Sequence, residues 1–184
     1  MAFEVVGDIR RDETMLVLLE SSLTFYVGDA VAIEIAGAGT YTVATNESDD
    51  VAGDLYPMGI VLGFAYGDGS IYPYTGQDPI NTPNQVTTAA GNPVAAKPIY
   101  GVILPIRQGM KFIGLLDAAA GTTTTSAQPF TSFNLADART IDESTVQNPD
   151  PGTAPYQVVS LGVVPGTSSL KIYCQFAKSQ LTRP

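Results

Sequence analysis

The sequence predicts an all-β protein, a small barrel or sandwich of the β-tulip or jelly-roll type with long loops and extended termini. Its apolar residues recur with a period of two, as where Val31, Ile33 and Ile35 are separated by Ala and Glu. This period is typical of strands. Helical patterns are confined to Ala118–Ala120 and Leu135–Arg139, and the second is short enough to be a turn.

About eleven segments share the strand pattern and are bounded by Gly, Pro, Asn or Asp, which favour turns. They are Met15–Leu19, Leu23–Val27, Ala30–Ile35, Thr40–Val43, Met58–Tyr66, Ser70–Tyr74, Ile99–Ile106, Lys111–Leu116, Phe130–Leu135, Tyr156–Val164 and Leu170–Phe176. Three runs place a glycine (Gly59, Gly101, Gly162) before branched apolar residues. A glycine at such a position indicates a bulge or a close approach of backbone.

The domain organisation follows from these segments. Residues 15–177 form the predicted β domain, between an N-terminal arm at 1–14 and a C-terminal tail at 178–184. The arm mixes four apolar residues with charged ones, so we expect it to become ordered on a neighbouring subunit; a frayed terminus is the alternative.

Two packed lobes are a further option within this domain. They would be residues 15–76 and 98–177, joined by a loop at 77–97 that is rich in Pro, Asn, Thr and Ala. Residues Thr145–Pro155 contain Asn-Pro-Asp-Pro-Gly and are predicted to be irregular. Loops of this length in a compact domain are usually functional or ordered by a neighbour.

Composition predicts a compact and soluble fold. Of the 184 residues 45% are apolar and only 15% charged, the opposite of a disordered chain. No apolar run approaches the roughly 20 residues of a membrane helix. The first fourteen residues contain no apolar stretch like that of a secretory leader, so we expect a protein made inside a cell and no membrane partner.

The net charge of −9 argues against a nucleic-acid partner, which would require a basic surface. The charge is also uneven, because residues 1–80 hold 13 acids and two bases (−11) and residues 81–184 hold five acids and seven bases (+2). This asymmetry would suit head-to-tail self-association or a basic partner. A solubilising excess of charge on one surface is the alternative.

Catalytic patterns are missing, and we therefore predict a protein that is not an enzyme, with no catalytic residues and no cofactor. The sequence has no histidine, no Gly-x-Ser-x-Gly and no nucleotide-binding glycine loop. The adjacent carboxylates Asp49/Asp50 and Asp142/Glu143 could serve glycoside hydrolysis, but the chain has no Trp and no aromatic cleft beside them.

Metal and thiol chemistry are also not predicted. The acidic segment Asn46–Asp54 has oxygen ligands for Ca²⁺ but lacks the spacing of an EF-hand, so a solvated loop is the default and the metal site stays an open alternative. Cys174 is the single cysteine and shares a strand face with Ile172 and Phe176. We expect it to be a buried core thiol.

One pair of segments resembles a known family. Val27-Gly-Asp-Ala-Val-Ala-Ile33, an acidic loop and Pro57-Met-Gly-Ile-Val-Leu62 are similar to the head decoration (cement) proteins of tailed phages. The resemblance implies a structural virion protein, assembled in the host cytoplasm, that forms trimers on the capsid surface. It also implies that an N-terminal arm binds the major capsid protein. A carbohydrate-binding module of a phage fibre or appendage, or a tail or connector subunit, are the alternatives.

Candidate partner-binding residues come from the arm, the acidic loop and an aromatic cluster. Phe3 and Val5 would lie against a neighbouring subunit, and two arginines would pair either with the chain's own acidic half or with carboxylates of the partner. The tyrosines could equally line the mouth of a barrel. The full candidate set is Phe3, Val5, Arg10, Arg11, Asp49, Asp50, Tyr72 and Tyr74.

Overall fold

The computed structural model describes residues 3–7, 13–33, 40–43, 57–68, 85–107, 109–117, 129–147, 158–165 and 171–176. In these ranges the chain is all-β, as predicted, with a 3₁₀ turn at Asn92–Val94 and no α-helix. The strands are β1 (Glu4–Val5), β2 (Met15–Leu18), β3 (Thr24–Tyr26), β4 (Ala30–Ile33), β5 (Tyr41–Val43), β6 (Gly59–Tyr66), β7 (Gln85–Thr87), β8 (Ile99–Pro105), β9 (Phe112–Leu116), β10 (Ser132–Leu135), β11 (Thr140–Gln147), β12 (Val158–Val163) and β13 (Lys171–Phe176).

Five strands form an antiparallel sheet in the order β2-β8-β6-β4-β5, which we call the curled sheet. It curls until its two edges meet, where Leu19 bridges Tyr41 and the Glu20 amide donates to the Tyr41 carbonyl at 2.9 Å. Alternate residues such as Val31 and Val61 point into its apolar interior. The period-two pattern of the sequence therefore directs one face of each strand into this interior.

A two-stranded ribbon of β3 and β7 packs on the interior of the curled sheet through Phe25 and Val86. The chain after β7 is tied down by the buried Asn92. Its side-chain amide donates to the carbonyls of Leu19 (2.8 Å) and Ile99 (3.1 Å), and its oxygen accepts from the Ile99 amide (2.9 Å). These bonds satisfy the Leu19 carbonyl and the Ile99 amide, and they add a second donor to the Ile99 carbonyl, which also accepts from the Leu19 amide at 3.4 Å.

The second sheet is a closed barrel in the order β9-β11-β10-β12-β13, with β13 returning to pair with β9. β9 and β11 run parallel, and the other neighbours are antiparallel. β1 pairs with β9 as well, with Glu4 opposite Ile113 and Val5 opposite Phe112. The barrel thus combines the first described strand of the chain with the last.

Contact between the two sheets is partly apolar. Three side chains of the curled sheet lie outside its interior and belong to the same buried cluster as the barrel residues Phe112 and Ile141. They are those of Ala30, Ala32 and Ile60. Small alanines on β4 allow the two layers to approach closely. β4 and β6 are consequently buried on both faces.

An ion pair between the buried Asp29 and the partly exposed Arg139 also links the two sheets. Asp29, with no exposed surface, accepts hydrogen bonds from Arg139 Nε (2.8 Å) and from the Tyr26 amide (2.8 Å). The guanidinium lies over the Tyr26 ring, with its Cζ 3.4 Å from the ring centroid. Burial raises the pKa of Asp29, although the Tyr26 amide and Arg139 act in the opposite direction. Arg139 belongs to the turn between β10 and β11, so the pair fastens the barrel to the start of β4.

Several expectations need correction. The sheets divide after β8, not at residues 77–97, because β8 pairs with β2 and β6. The expected loop at 77–97 contains β7, and Thr145–Gln147 at the start of the expected irregular segment belongs to β11. Leu135–Arg139 is a strand end and a turn. The predicted strand Ser70–Tyr74, like Ala118–Ala120 and Asn46–Asp54, lies outside the described residues.

Glycines mark bulges and close approaches, as the sequence predicted. Gly162, at a φ of 118°, sits where the register of β12 shifts between Ser160 and Gly162. Gly59 allows β8 to pack closely, since a Cβ there would lie 2.7 Å from Ile103 Cδ1.

Candidate partner-binding site

The structure corrects the expected role of Phe3. Its side chain is 3% exposed and lies in the barrel core, with its ring centroid 5.0 Å from that of Phe176. Gly114 provides the space, because a Cβ there would lie 3.0 Å from Phe3 Cε1. Phe3 therefore contacts its own chain and is not available to a partner in this conformation.

Val5 is likewise ordered within the chain. It is half-buried against the barrel core, and the neighbouring Glu4 carboxylate accepts a hydrogen bond from Lys171 Nζ at 3.1 Å. The Phe3 amide donates to the Gly28 carbonyl at 3.1 Å. The expectation of an arm is therefore wrong for residues 3–7, which form part of the folded domain.

The other candidate residues lie outside the described part of the chain, so their placement stays a prediction. They are Arg10, Arg11, Asp49, Asp50, Tyr72 and Tyr74. Two members of the aromatic cluster that precedes Tyr72 are described. Phe64 is buried inside the curled sheet, and Tyr66 is half-buried with Lys97 Nζ 5.6 Å from its ring centroid. Phe64 thus serves the core, and Tyr66 lies at its edge.

A cleft of about 190 Å³ opens where the segment after β1 meets the chain between β8 and β9. Its apolar wall is formed by Val5, Val6, Leu104 and Met110. We call it the Val6 cleft. Val6 itself is 41% exposed. The cleft therefore presents apolar surface to solvent beside residues of both sheets.

Charged groups border the Val6 cleft. Glu13, Arg107 and Lys111 line it, and Arg107 Nη1 lies 3.7 Å from Glu13 Oε1. The Met110 sulfur accepts a hydrogen bond from the Arg107 amide at 3.3 Å, which shapes the turn before β9. An apolar wall with a rim that carries both charges is an arrangement suited to an apolar side chain of another protein.

Six large apolar side chains in the described ranges are exposed, and Phe130 stands out among them. It is 70% exposed and has a φ of 71°, a left-handed conformation that is uncommon for a bulky residue. Its amide donates to the Ser160 carbonyl at 2.8 Å, which holds the turn against β12. The set is Val6, Met15, Leu16, Val94, Phe130 and Val163.

The described titratable groups offer little chemistry. Cys174 is fully buried, and burial raises the pKa of its thiol to about 12, so it is a poor nucleophile. Across the described ranges no three Asp, Glu, Cys or His side chains gather in a way that could hold a metal ion. No helix in that part of the chain is long and apolar enough to span a membrane.

Comparison with known proteins adds no relative. No protein-family model matches the chain, no curated protein is similar to it in sequence, and no solved structure matches its fold.

Neither the Val6 cleft nor the exposure of Phe130 was predicted from the sequence. Phe130 follows Pro129 at the start of an apolar run and was expected to begin a strand. In the structure Phe130 lies in the turn before β10, and its side chain is exposed there. The cleft joins segments that are distant in sequence, around Val6 and around Leu104 to Met110, so no local pattern could reveal it.

Proposed function

We propose that the chain is a structural virion protein that decorates a capsid, with no catalytic activity, as a homo-oligomer bound to the major capsid protein. The observation that carries the proposal is that buried polar side chains bond within the chain, whereas several large apolar side chains are exposed on its surface. Asp29, Thr88 and Asn92 use their buried polar atoms to hold loops and sheets together. Large apolar side chains, by contrast, face solvent at Phe130 and Leu16.

Buried contacts add weight to a structural role. A decoration protein must resist being pulled apart, and this chain ties its two sheets together by an apolar layer and by the Asp29–Arg139 ion pair. The two segments that resemble the decoration proteins also meet in space, because Ala30 on β4 pairs with Ile60 on β6. The resemblance thus concerns one unit of structure, two neighbouring strands of the curled sheet.

Co-sedimentation tests the proposal. A major capsid protein gene adjacent to the gene for this chain would identify the capsid to use. Purified chain is mixed with expanded capsids of that protein and pelleted, with an unrelated acidic protein of similar size as the control for trapping. We expect saturable binding at a constant ratio to capsid subunits.

A chain that stays in the supernatant at every concentration would contradict the proposal. Retention of the same chain on a polysaccharide array, without binding to capsids, would instead support the carbohydrate-binding alternative.

A further inference from the structure

The Val6 cleft is an apolar surface in contact with solvent. It measures about 190 Å³, and Val6 on its wall is 41% exposed. A cavity of about 150 Å³ lined by apolar side chains binds benzene, whereas pockets for whole small ligands usually measure about 300–1,000 Å³. The cleft therefore matches one branched or aromatic side chain, held between Val5, Val6, Leu104 and Met110.

Backbone bonds fix the walls of the Val6 cleft. The Val6 amide donates to the Lys111 carbonyl at 3.0 Å, which joins the two segments that line the cleft. Within the turn before β9, the Arg107 amide donates to the Met110 sulfur at 3.3 Å, and the Met110 amide donates back to the Arg107 carbonyl at 3.2 Å. A partner thus meets a preformed surface, and binding loses little free energy to the ordering of these residues.

The rim of the cleft is locally basic on an acidic chain. It has two basic residues, Arg107 and Lys111, and one acidic residue, Glu13, whereas the whole chain has a net charge of −9. Glu13 Oε1 lies 3.7 Å from Arg107 Nη1, which is longer than a hydrogen bond. Lys111 is exposed, and its ammonium has no ion-pair partner within the described ranges. One positive charge at the rim is therefore left uncompensated.

Shape and charge together select one kind of partner. An apolar side chain fills the cleft, and a carboxylate next to it compensates the Lys111 ammonium at the rim. Complementary charges across an interface steer the encounter, and like charges exclude the wrong partner. A basic segment would suit the net charge of the whole chain, but at this rim it would meet charges of its own sign.

We propose that the Val6 cleft binds a segment of a partner protein in which an apolar residue stands next to an aspartate or a glutamate. The inference deepens the proposed function and rests on it, because the major capsid protein is the partner that would supply this segment. The cleft itself can be tested without a capsid.

Peptide titration followed by NMR tests the site on the full chain. The probe is acetyl-Ser-Gly-Leu-Asp-Gly-Ser-amide, and the reporters are the backbone amides of Val6, Arg107 and Lys111. We expect saturable shifts at these three amides. A peptide with alanine in place of the leucine should bind about tenfold more weakly, because it buries less apolar area. A peptide with asparagine in place of the aspartate should bind about threefold more weakly, the scale of one exposed ion pair.

Two matched variants assign the charge. Lys111→Met keeps an aliphatic side chain and removes the ammonium, so it should abolish the difference between the aspartate and asparagine peptides. Lys97→Met removes an exposed lysine that lies over Tyr66 and does not line the cleft, so it should preserve that difference. The amide spectra also verify the fold of each variant. On the unaltered chain, the absence of saturable shifts at the cleft, or equal affinities for the two peptides, would overturn the inference.

The outcome is separable from that of the proposed function. Peptide binding at the cleft without co-sedimentation with capsids would retain the site and refute the decoration role. Capsid binding without peptide binding would refute the site and leave the decoration role standing.

Discussion

Replacing Phe3 by alanine tests whether the start of the chain is part of the fold. The side chain is almost wholly buried, and its ring packs against that of Phe176, which in turn lies 5.2 Å from Phe112. Core Phe→Ala substitutions cost about 3–5 kcal/mol, from lost burial and the cavity left behind. β1 has only two residues and can detach in response, so we expect the lower end, about 3 kcal/mol.

The assay is denaturant unfolding followed by far-UV circular dichroism, with Val6→Ala as the matched control. Val6 lies in the same segment but is exposed, so its truncation should change the unfolding free energy by less than about 0.5 kcal/mol. For a domain of this size, about 3 kcal/mol corresponds to a fall in Tm of roughly 6–12 °C. If Phe3→Ala and Val6→Ala unfold at the same denaturant concentration, the segment is a free arm and the packing argument fails.

Three further predictions concern buried polar and thiol groups. Because burial raises the pKa of Asp29, its contribution to stability is greatest below about pH 4 and is lost as the pH rises through the folded pKa. The native chain should therefore gain stability relative to Asp29→Asn as the pH falls from 7 to 4; a constant difference would refute this. Asn92→Ala removes the side chain that bonds the Leu19 carbonyl and the Ile99 amide, while the Ile99 carbonyl keeps the Leu19 amide as a donor. It should cost about 3 kcal/mol, whereas Val94→Ala in the same turn should cost little; equal unfolding midpoints would contradict this. Cys174→Ser should cost roughly 1–3 kcal/mol, and a thiol reagent should not label the native protein at an appreciable rate; rapid labelling would show an exposed side chain.

The strands that the sequence predicted are those that contribute most of the buried apolar side chains. β13 alternates buried apolar residues with partly exposed Lys, Tyr and Gln, and β4 is apolar throughout and buried at its first three positions, so their composition alone marks them. β11 was missed because its sequence Thr-Ile-Asp-Glu-Ser-Thr-Val-Gln is mostly polar; it is a strand because its backbone bonds β10 and β9. β7 buries only Val86. Backbone pairing with a distant partner leaves no local pattern.

The candidate site shows the same limit. The apolar residues around Phe3 are too sparse for a core strand, and this spacing favoured an arm. In the structure the Phe3 ring alone fills the space beside Gly114 in the barrel core and holds the segment there. The available signal was Gly114 in the middle of the apolar run Phe112–Leu116, because a glycine inside a strand often marks a close approach. The sequence could not say that the approaching ring was Phe3, more than a hundred residues earlier in the chain.

The sharing of β9 between β1 and β13 has a consequence for biosynthesis. The curled sheet has all its strands once β8 has left the ribosome, but the barrel cannot close until β13 follows. Phe3 is synthesised before these strands, so its side chain stays exposed to water until Gly114 and Phe176 have been made. Pairings between such distant segments form slowly and leave apolar surface open in the meantime. We expect the interval between the emergence of β9 and that of β13 to be the stage at which the nascent chain is most prone to aggregate.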